Sequence, residues 1–251
     1  MNTCILLDTN ILLTAVLPNS MWKKVVEDFF DDLKEILTKK KDLEVIITGL
    51  VYKEITKIIE QVAGFLSEEF RTIINGLSKL KQAVDREQLK ELQKRFTIAL
   101  VSQQDEETRE RNRNLLLTLE NYLLESIKAE RTRPLQELLF EAFDFINNFE
   151  VQLKNSVEQL LVTRKILKLY LPLEPIEQAK VAIFEQQIGM ANVPDKKILA
   201  LFLYHLERTK RNGWLITLDL GDFHANAPIL QGQFQQLTIL RPGYFSSIYH
   251  S

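Results

Sequence analysis

The sequence predicts an α/β domain with parallel strands, interrupted by a long helical insertion. Three observations lead there. Short apolar runs with polar punctuation lie towards the two ends of the chain, helical periodicity fills the middle, and turn-forming residues are scarce. Glycine numbers 8 and proline 7 among 251 residues, each about 3% against the usual roughly 7% and 5%. Such a chain favours long helices over the many turns of a sandwich or an all-β barrel. With 45% hydrophobic and 26% charged residues, it has the apolar surface for a sizeable core and is too apolar for a disordered chain.

The first strand is Cys4-Ile5-Leu6-Leu7, followed by Asp8-Thr9-Asn10. A short apolar run of this kind suits a strand buried on both faces of a parallel sheet. Ser20 is the expected N-cap of the next helix, in which Trp22, Val25, Val26, Phe29, Phe30, Leu33, Ile36 and Leu37 recur at steps of three and four and form one face. Leu43-Glu44-Val45-Ile46-Ile47 is the second strand, which completes a strand–helix–strand unit. Thr48 is placed to cap a helix beginning Gly49-Leu50-Val51. Towards the other end, Trp214-Leu215-Ile216-Thr217-Leu218, introduced by Asn212-Gly213, and Leu237-Thr238-Ile239-Leu240, closed by Pro242-Gly243, are the third and fourth strands.

Residues 61–180 carry no strand signal and are predicted to be an all-helical insertion. Phe70, Ile73, Ile74, Leu77, Leu80 and Val84 form one stripe. Leu135, Leu138, Leu139, Ala142, Phe143, Ile146, Phe149 and Leu153 form another, with Pro134 at its first turn. Further helical stretches fall near 86–101 and 106–130. The remaining residues, 1–60 and 181–251, are of a normal size for one small α/β domain.

In an open parallel sheet, ligands bind beyond the carboxyl ends of the strands, so residues directly after a strand are the informative ones. Asp8 follows the first strand, and Asp219 and Asp222 follow the third. Glu54 lies six residues past Thr48, within about 9 Å of its helix's start. Asn192-Val193-Pro194-Asp195 opens a helix carrying Ile198, Leu199, Phe202 and Leu206, with Asp195 in the first turn, where the helix dipole favours a carboxylate. Taken singly, each acid has a plain structural role, as a turn former, a cap or a solvated helix residue. Taken together, four or five carboxylates meeting at one sheet edge would repel one another unless a cation neutralises them. Hard oxygen donors select Mg2+ or Mn2+.

This set resembles the PIN-domain family of metal-dependent ribonucleases. The resemblance lies in Ile5-Leu6-Leu7-Asp8-Thr9-Asn10, in Val51-Tyr52-Lys53-Glu54-Ile55, in Val193-Pro194-Asp195-Lys196-Lys197-Ile198-Leu199-Ala200 and in Leu215-Ile216-Thr217-Leu218-Asp219-Leu220-Gly221-Asp222-Phe223, in that order. The last, a Thr-x-Asp-x-x-Asp-Phe strand end, is the most specific. The resemblance covers about 1–60 and 181–251, and the insertion departs from the minimal family pattern. It implies a three-layer α/β/α fold, Mg2+ or Mn2+ as cofactor, and hydrolysis of RNA phosphodiesters. Asp8, Glu54, Asp195 and Asp219 would form the catalytic, metal-holding cluster, supported by Asp222, with Thr9, Asn10 and Thr217 orienting carboxylates or bound water.

Other residues and functions weigh against or beside this reading. A net charge of −2 provides no global attraction for nucleic acid, so RNA contact falls to local patches: Arg109, Arg111 and Arg113, and Lys196 beside Asp195, with Lys197, Lys210 and Arg211 as further flanking cations. His205, His224 and His250 lack metal-pair spacing, and Cys4 reads as core. One cysteine excludes a disulfide framework and a cysteine-based zinc site and suits a reducing cytosol. No apolar run reaches the roughly 18 residues of a membrane span, and Met1–Asp8 lacks signal-peptide character, so a cytoplasmic protein is expected. A haloacid-dehalogenase-type phosphatase needs a second acid where Asn10 stands. A structure-specific DNA nuclease and a catalytically silent or partner-restrained binding module remain as alternatives. Single-stranded RNA is the expected substrate, and an inhibitory protein partner and a homo-oligomer are open possibilities.

Overall fold

In the computed structural model, Thr3–Leu7 forms the first strand, β1, and its apolar run is needed because both its faces are covered. It runs parallel to β2 (Leu43–Thr48) on one side and to β6 (Asn212–Ile216) on the other. β5 (Leu167–Leu169) lies beyond β2, and β7 (Leu237–Leu240) beyond β6, so the five-stranded all-parallel sheet has the order β5-β2-β1-β6-β7. Cys4, Ile5, Leu6 and Leu7 are fully buried, as a central strand between two layers requires. The structure describes residues 3–18, 20–40, 42–77, 133–169 and 174–249, together with 83–85, 87–88, 90, 113, 117–118, 121–122 and 124–125.

Helices cover both faces of the sheet. α1 (Thr9–Val16) and α2 (Lys23–Lys39) connect β1 to β2. α2 buries Val26, Phe29, Phe30, Leu33 and Ile36 of the predicted stripe, with Val25 and Leu37 half-buried, while Trp22 precedes the helix and is exposed. The C-terminal helix α8 (Pro242–Tyr249) packs on α2, with the Phe245 ring 5.0 Å from Phe29 and 5.7 Å from Trp214. On the opposite face, next to Gly213, lies α6 (Val193–Thr209), which buries every residue from Ile198 to Tyr204. α5 (Pro175–Gln187) packs against α6. α7 (Ala225–Gln233) leads from β6 to β7. Helices on two faces of one parallel sheet are consistent with a three-layer α/β/α fold.

Close packing of α6 depends on Gly213. A Cβ there would stand 2.3 Å from Leu206 and 2.7 Å from Phe202, both buried. The glycine that looked like a turn signal is therefore inside β6, chosen for close approach of a helix, and the strand starts at Asn212 and ends at Ile216 instead of spanning 214–218. Ser20 is not the cap of α2: the helix begins at Lys23 after Trp22, without a side-chain cap. Thr48 does cap, its Oγ1 accepting from the Val51 amide at 3.2 Å at the start of α3 (Gly49–Leu77).

The chain divides into two compact units, one of residues 1–16, 21–56 and 156–251, the other of 17–20 and 57–155. The segment expected to be an all-helical insertion, 61–180, departs from that description. Its residues 167–169 are a strand of the central sheet, and a two-residue antiparallel pair joins β3 (Ala83–Val84) to β4 (Arg133–Pro134). Val84 and Pro134 thus lie in these short strands, and α4 (Leu135–Thr163) begins after Pro134. β5 escapes a periodicity argument because three residues cannot show a period, and Leu167 is exposed. The chain reaches it through a left-handed Lys165 (φ 53°) and an Ile166 amide bonded back to the Leu161 carbonyl, a turn that stops α4. The helices expected near 86–101 and 106–130 lie mostly outside the described residues. Among the described residues no helix is long and apolar enough to cross a membrane.

Gly213→Ala should lower stability by about 1–3 kcal/mol, the usual cost of overpacking, read as a shift of the urea midpoint at unchanged m-value. An unchanged midpoint would mean that Leu206 and Phe202 turn aside freely.

Candidate metal centre

The sheet order reverses between β1 and β6, since the chain moves outward from β1 through β2 on one side and through β6 to β7 on the other. The carboxyl ends of these two strands therefore bound the crevice where doubly wound sheets bind ligands. Asp8 leaves the end of β1, and Thr217 the end of β6. Asp8 is 4% exposed and Thr217 fully buried.

Three donors surround the Asp8 carboxylate. Thr9 N–H donates to Oδ1 at 2.7 Å, while Thr217 Oγ1 and Asn10 Nδ2 donate to Oδ2 at 2.6 and 2.8 Å. Asn10 also ties the two strand ends together: its Nδ2 reaches Thr217 Oγ1 at 3.1 Å and its Oδ1 accepts from the Leu218 amide at 3.0 Å. Thr9 Oγ1 donates to Glu54 Oε2 at 2.6 Å, which fixes the glutamate in the second turn of α3. Thr9, Asn10 and Thr217 thus each donate a hydrogen bond to one of these carboxylates.

Asp219 bends the chain after β6 into a single π-turn, Leu220–His224, by accepting from the amides of Gly221 and Asp222 at 2.8 and 3.1 Å through Oδ1. This brings Asp222 back beside Asp219. Asp195 comes from the first turn of α6, opened by Asn192 and Pro194. Asp195, Asp219 and Asp222 each place an oxygen within 4.8 Å of the others. The tightest group therefore includes Asp222, to which the resemblance assigns only a supporting part, while the charges of Asp8 and Glu54 act on Asp195 from beside the trio. Asn192 takes a role the sequence did not reveal. At the N-cap position it makes no cap hydrogen bond and instead donates from Nδ2 to Asp222 Oδ2 at 3.1 Å. His224 bonds the Thr217 carbonyl through Nε2 at 3.2 Å and props the same turn.

The electrostatics follow from this crowding. Burial pushes Asp8 up to about 6, against the lowering effect of its bonds from Thr217 and Thr9, with Glu54 and Asp219 adding to the rise. Burial also lifts Asp195 to about 7, reinforced by the charges of Asp8, Asp219, Glu54 and Asp222. Among the described residues none of these five acids is ion-paired with a lysine or arginine. Asp195 has neither hydrogen bond nor ion pair there.

Of the expected nucleic-acid contacts, Lys196 is half-buried next to Asp195 and Arg113 is exposed. Arg109 and Arg111 lie outside the described residues. Lys210 and Arg211 do not flank the acids. They sit at the other end of α6, fifteen or more residues from Asp195, about 22 Å along the axis. There Lys210 is the left-handed C-cap and Arg211 pairs with Glu44.

Without divalent ions, folded Asp8 and Asp195 hold protons that the unfolded chain has released, since free aspartate titrates near about 4. Stability from these two acids should therefore fall as pH rises from about 4 to about 7. Asp195→Asn should raise the melting temperature at pH 8 in EDTA and raise it much less at pH 5. A gain equal at both pH values would mean that Asp195 is not under this strain. Comparisons of the chain with protein families, with characterised proteins and with solved structures found no match.

Proposed function

We propose that this chain is a divalent-metal-dependent nuclease of the PIN-domain kind, hydrolysing single-stranded RNA. The observation that carries the reading is the meeting of five carboxylates, Asp8, Glu54, Asp195, Asp219 and Asp222, from separate segments at the switch point of a parallel sheet, with no partner cation among the described residues. The order of their sequence motifs supports it. The donor set fits the cofactor: oxygen ligands alone suit Mg2+ or Mn2+, and the raised pKa values mark a place where positive charge would relieve strain.

Asp195, Asp219 and Asp222 would hold the cation, with Asp8 and Glu54 completing its negative surround. Bound there, a divalent cation supplies Lewis-acid polarisation of a phosphoryl oxygen and activation of water for attack on phosphorus. The chain's own part is orientation. Thr217 and Asn10 fix Asp8, Thr9 fixes Glu54, and Asn192 fixes Asp222, so that the carboxylates need no rearrangement when a phosphodiester arrives. Lys196 is a local positive charge for the RNA backbone. A chain of net charge −2 binds RNA weakly and with salt sensitivity, through few phosphate contacts. A flexible single strand can enter a recessed acidic site that a duplex cannot.

Titration with Mn2+ should show binding that raises the melting temperature, equivalent to about 2.7 kcal/mol at 100 times the dissociation constant. Labelled single-stranded RNA should be cut by the native protein and at least roughly 100-fold more slowly by Asp8→Asn and Asp195→Asn, the scale on which changes around a metal site act. Equal cleavage by all three would point to a contaminant. Absence of cleavage of RNA and DNA with every divalent ion would overturn the reading in favour of a silent or partner-restrained binding module.

A further inference from the structure

At the opposite end of the same strands, we propose that Cys4, Glu44 and His205 form a second cation site, suited to Zn2+ or another borderline divalent ion. Cys4 of β1 and Glu44 of β2 are register partners in adjacent parallel strands, so their side chains leave the same face of the sheet. Cys4's partner on its other side is Gly213. The missing side chain there lets α6 settle close to the sheet through Phe202 and Leu206, and His205 lies between those two residues on α6. Sγ of Cys4, a carboxylate oxygen of Glu44 and a ring nitrogen of His205 all lie within 4.8 Å of one another. Zinc ligands lie about 2.0–2.3 Å from the metal, hence about 3.3–3.8 Å apart in a tetrahedron, so closure onto an ion needs only small side-chain movements. Four residues separate Cys4 from Asp8, about 13 Å of strand, so this is not an outlying part of the acidic centre.

The chemistry of the three groups agrees. One thiolate, one imidazole and one carboxylate are a mixed set that selects a borderline ion over the hard Mg2+. His205 Nε2 is buried and lies 3.4 Å from Glu44 Oε2, close enough to feel its charge but outside hydrogen-bonding geometry. Burial lowers the His205 pKa and keeps the ring neutral, with a lone pair to give. Burial, then Glu44, pushes the Cys4 thiol far up, so it is no nucleophile by itself. A coordinated thiol, however, gives up its proton. Here the proton leaves to solvent as the sulfur–metal bond forms; the thiolate offsets one of the ion's charges, and Glu44 is shared between the ion and Arg211. Arg211 pairs with Glu44 through Oε2, which leaves Oε1 for an ion, since a carboxylate accepts at both oxygens. The His205 and Glu44 side chains are 14% and 25% exposed, which gives an ion its way in. A zinc site made of several cysteines is excluded by composition; a single thiolate in a mixed set is a different arrangement.

The chain's one cysteine makes the test decisive. Untagged, reduced protein titrated with Co2+ should develop a sulfur-to-cobalt charge-transfer absorption in the near ultraviolet, and only Cys4 can be its source. Zn2+ should abolish the band by displacing cobalt, and Asp195→Asn should retain it. Cys4→Ser should lack the band while keeping Mn2+ binding at the acidic centre. No band in the native protein at millimolar cobalt, or loss of the band in Asp195→Asn, would overturn the proposal. The native measurement stands even if Cys4→Ser fails to fold.

Discussion

The hydrogen bond from Thr217 to the buried Asp8 carboxylate is the contact on which the acidic edge depends. It joins the end of β1 to the end of its neighbour β6, the two strands from which the chain moves outward in opposite directions, and it fixes one acid in a place where water cannot solvate it. Asn10 locks the same junction from a third direction. With Asp8 held, the neighbouring acids feel its charge, and the raised pKa of Asp195 is partly its consequence. A burial so costly for anions is kept only where something compensates it, and among the described residues no lysine or arginine is ion-paired with these acids. Stability is thus set against ligand affinity: the contacts that organise the edge also strain it.

Much of this was legible in the sequence because the signals were positional. β1, β2 and β7 announce themselves as apolar runs, since strands buried on both faces have no room for alternation. Asp8 and Asp195 could be placed because one directly follows a strand and the other opens a helix, Asp219 because it lies just past the apolar run that forms β6, and Glu54 because Thr48 marked the start of its helix. Rotation and turn geometry were not legible. Asp222 belongs to the tight trio only because Asp219 folds the following turn back onto itself with two amide bonds. Asn192 has the composition of an ordinary cap, and its use on Asp222 becomes visible only when α6 and the turn are set side by side.

The misreadings have a common physical origin as well. Asn212-Gly213 has the chemistry of a turn, yet Gly213 is a strand residue whose absent side chain makes room for α6. Leu167–Leu169 is too short to show a pattern, and an edge strand needs only one good partner. Cys4, Glu44 and His205 are each unremarkable in sequence, and 40 and 161 positions apart. Their meeting follows from parallel register and from the depth at which α6 sits, neither of which is written locally.

The sheet order also governs how this protein must be made. β1 occupies the centre, paired through Thr3 with Leu43 on one side and Asn212 on the other. On the ribosome, roughly 170 residues emerge between the two partners, which takes about 8–34 s at typical elongation rates. During that interval the most apolar strand of the chain, Cys4-Ile5-Leu6-Leu7, has one edge open. Such an edge is a template for association with other chains. The nascent chain is therefore open to edge-to-edge association from the emergence of β2 until β6 arrives to close the sheet's centre.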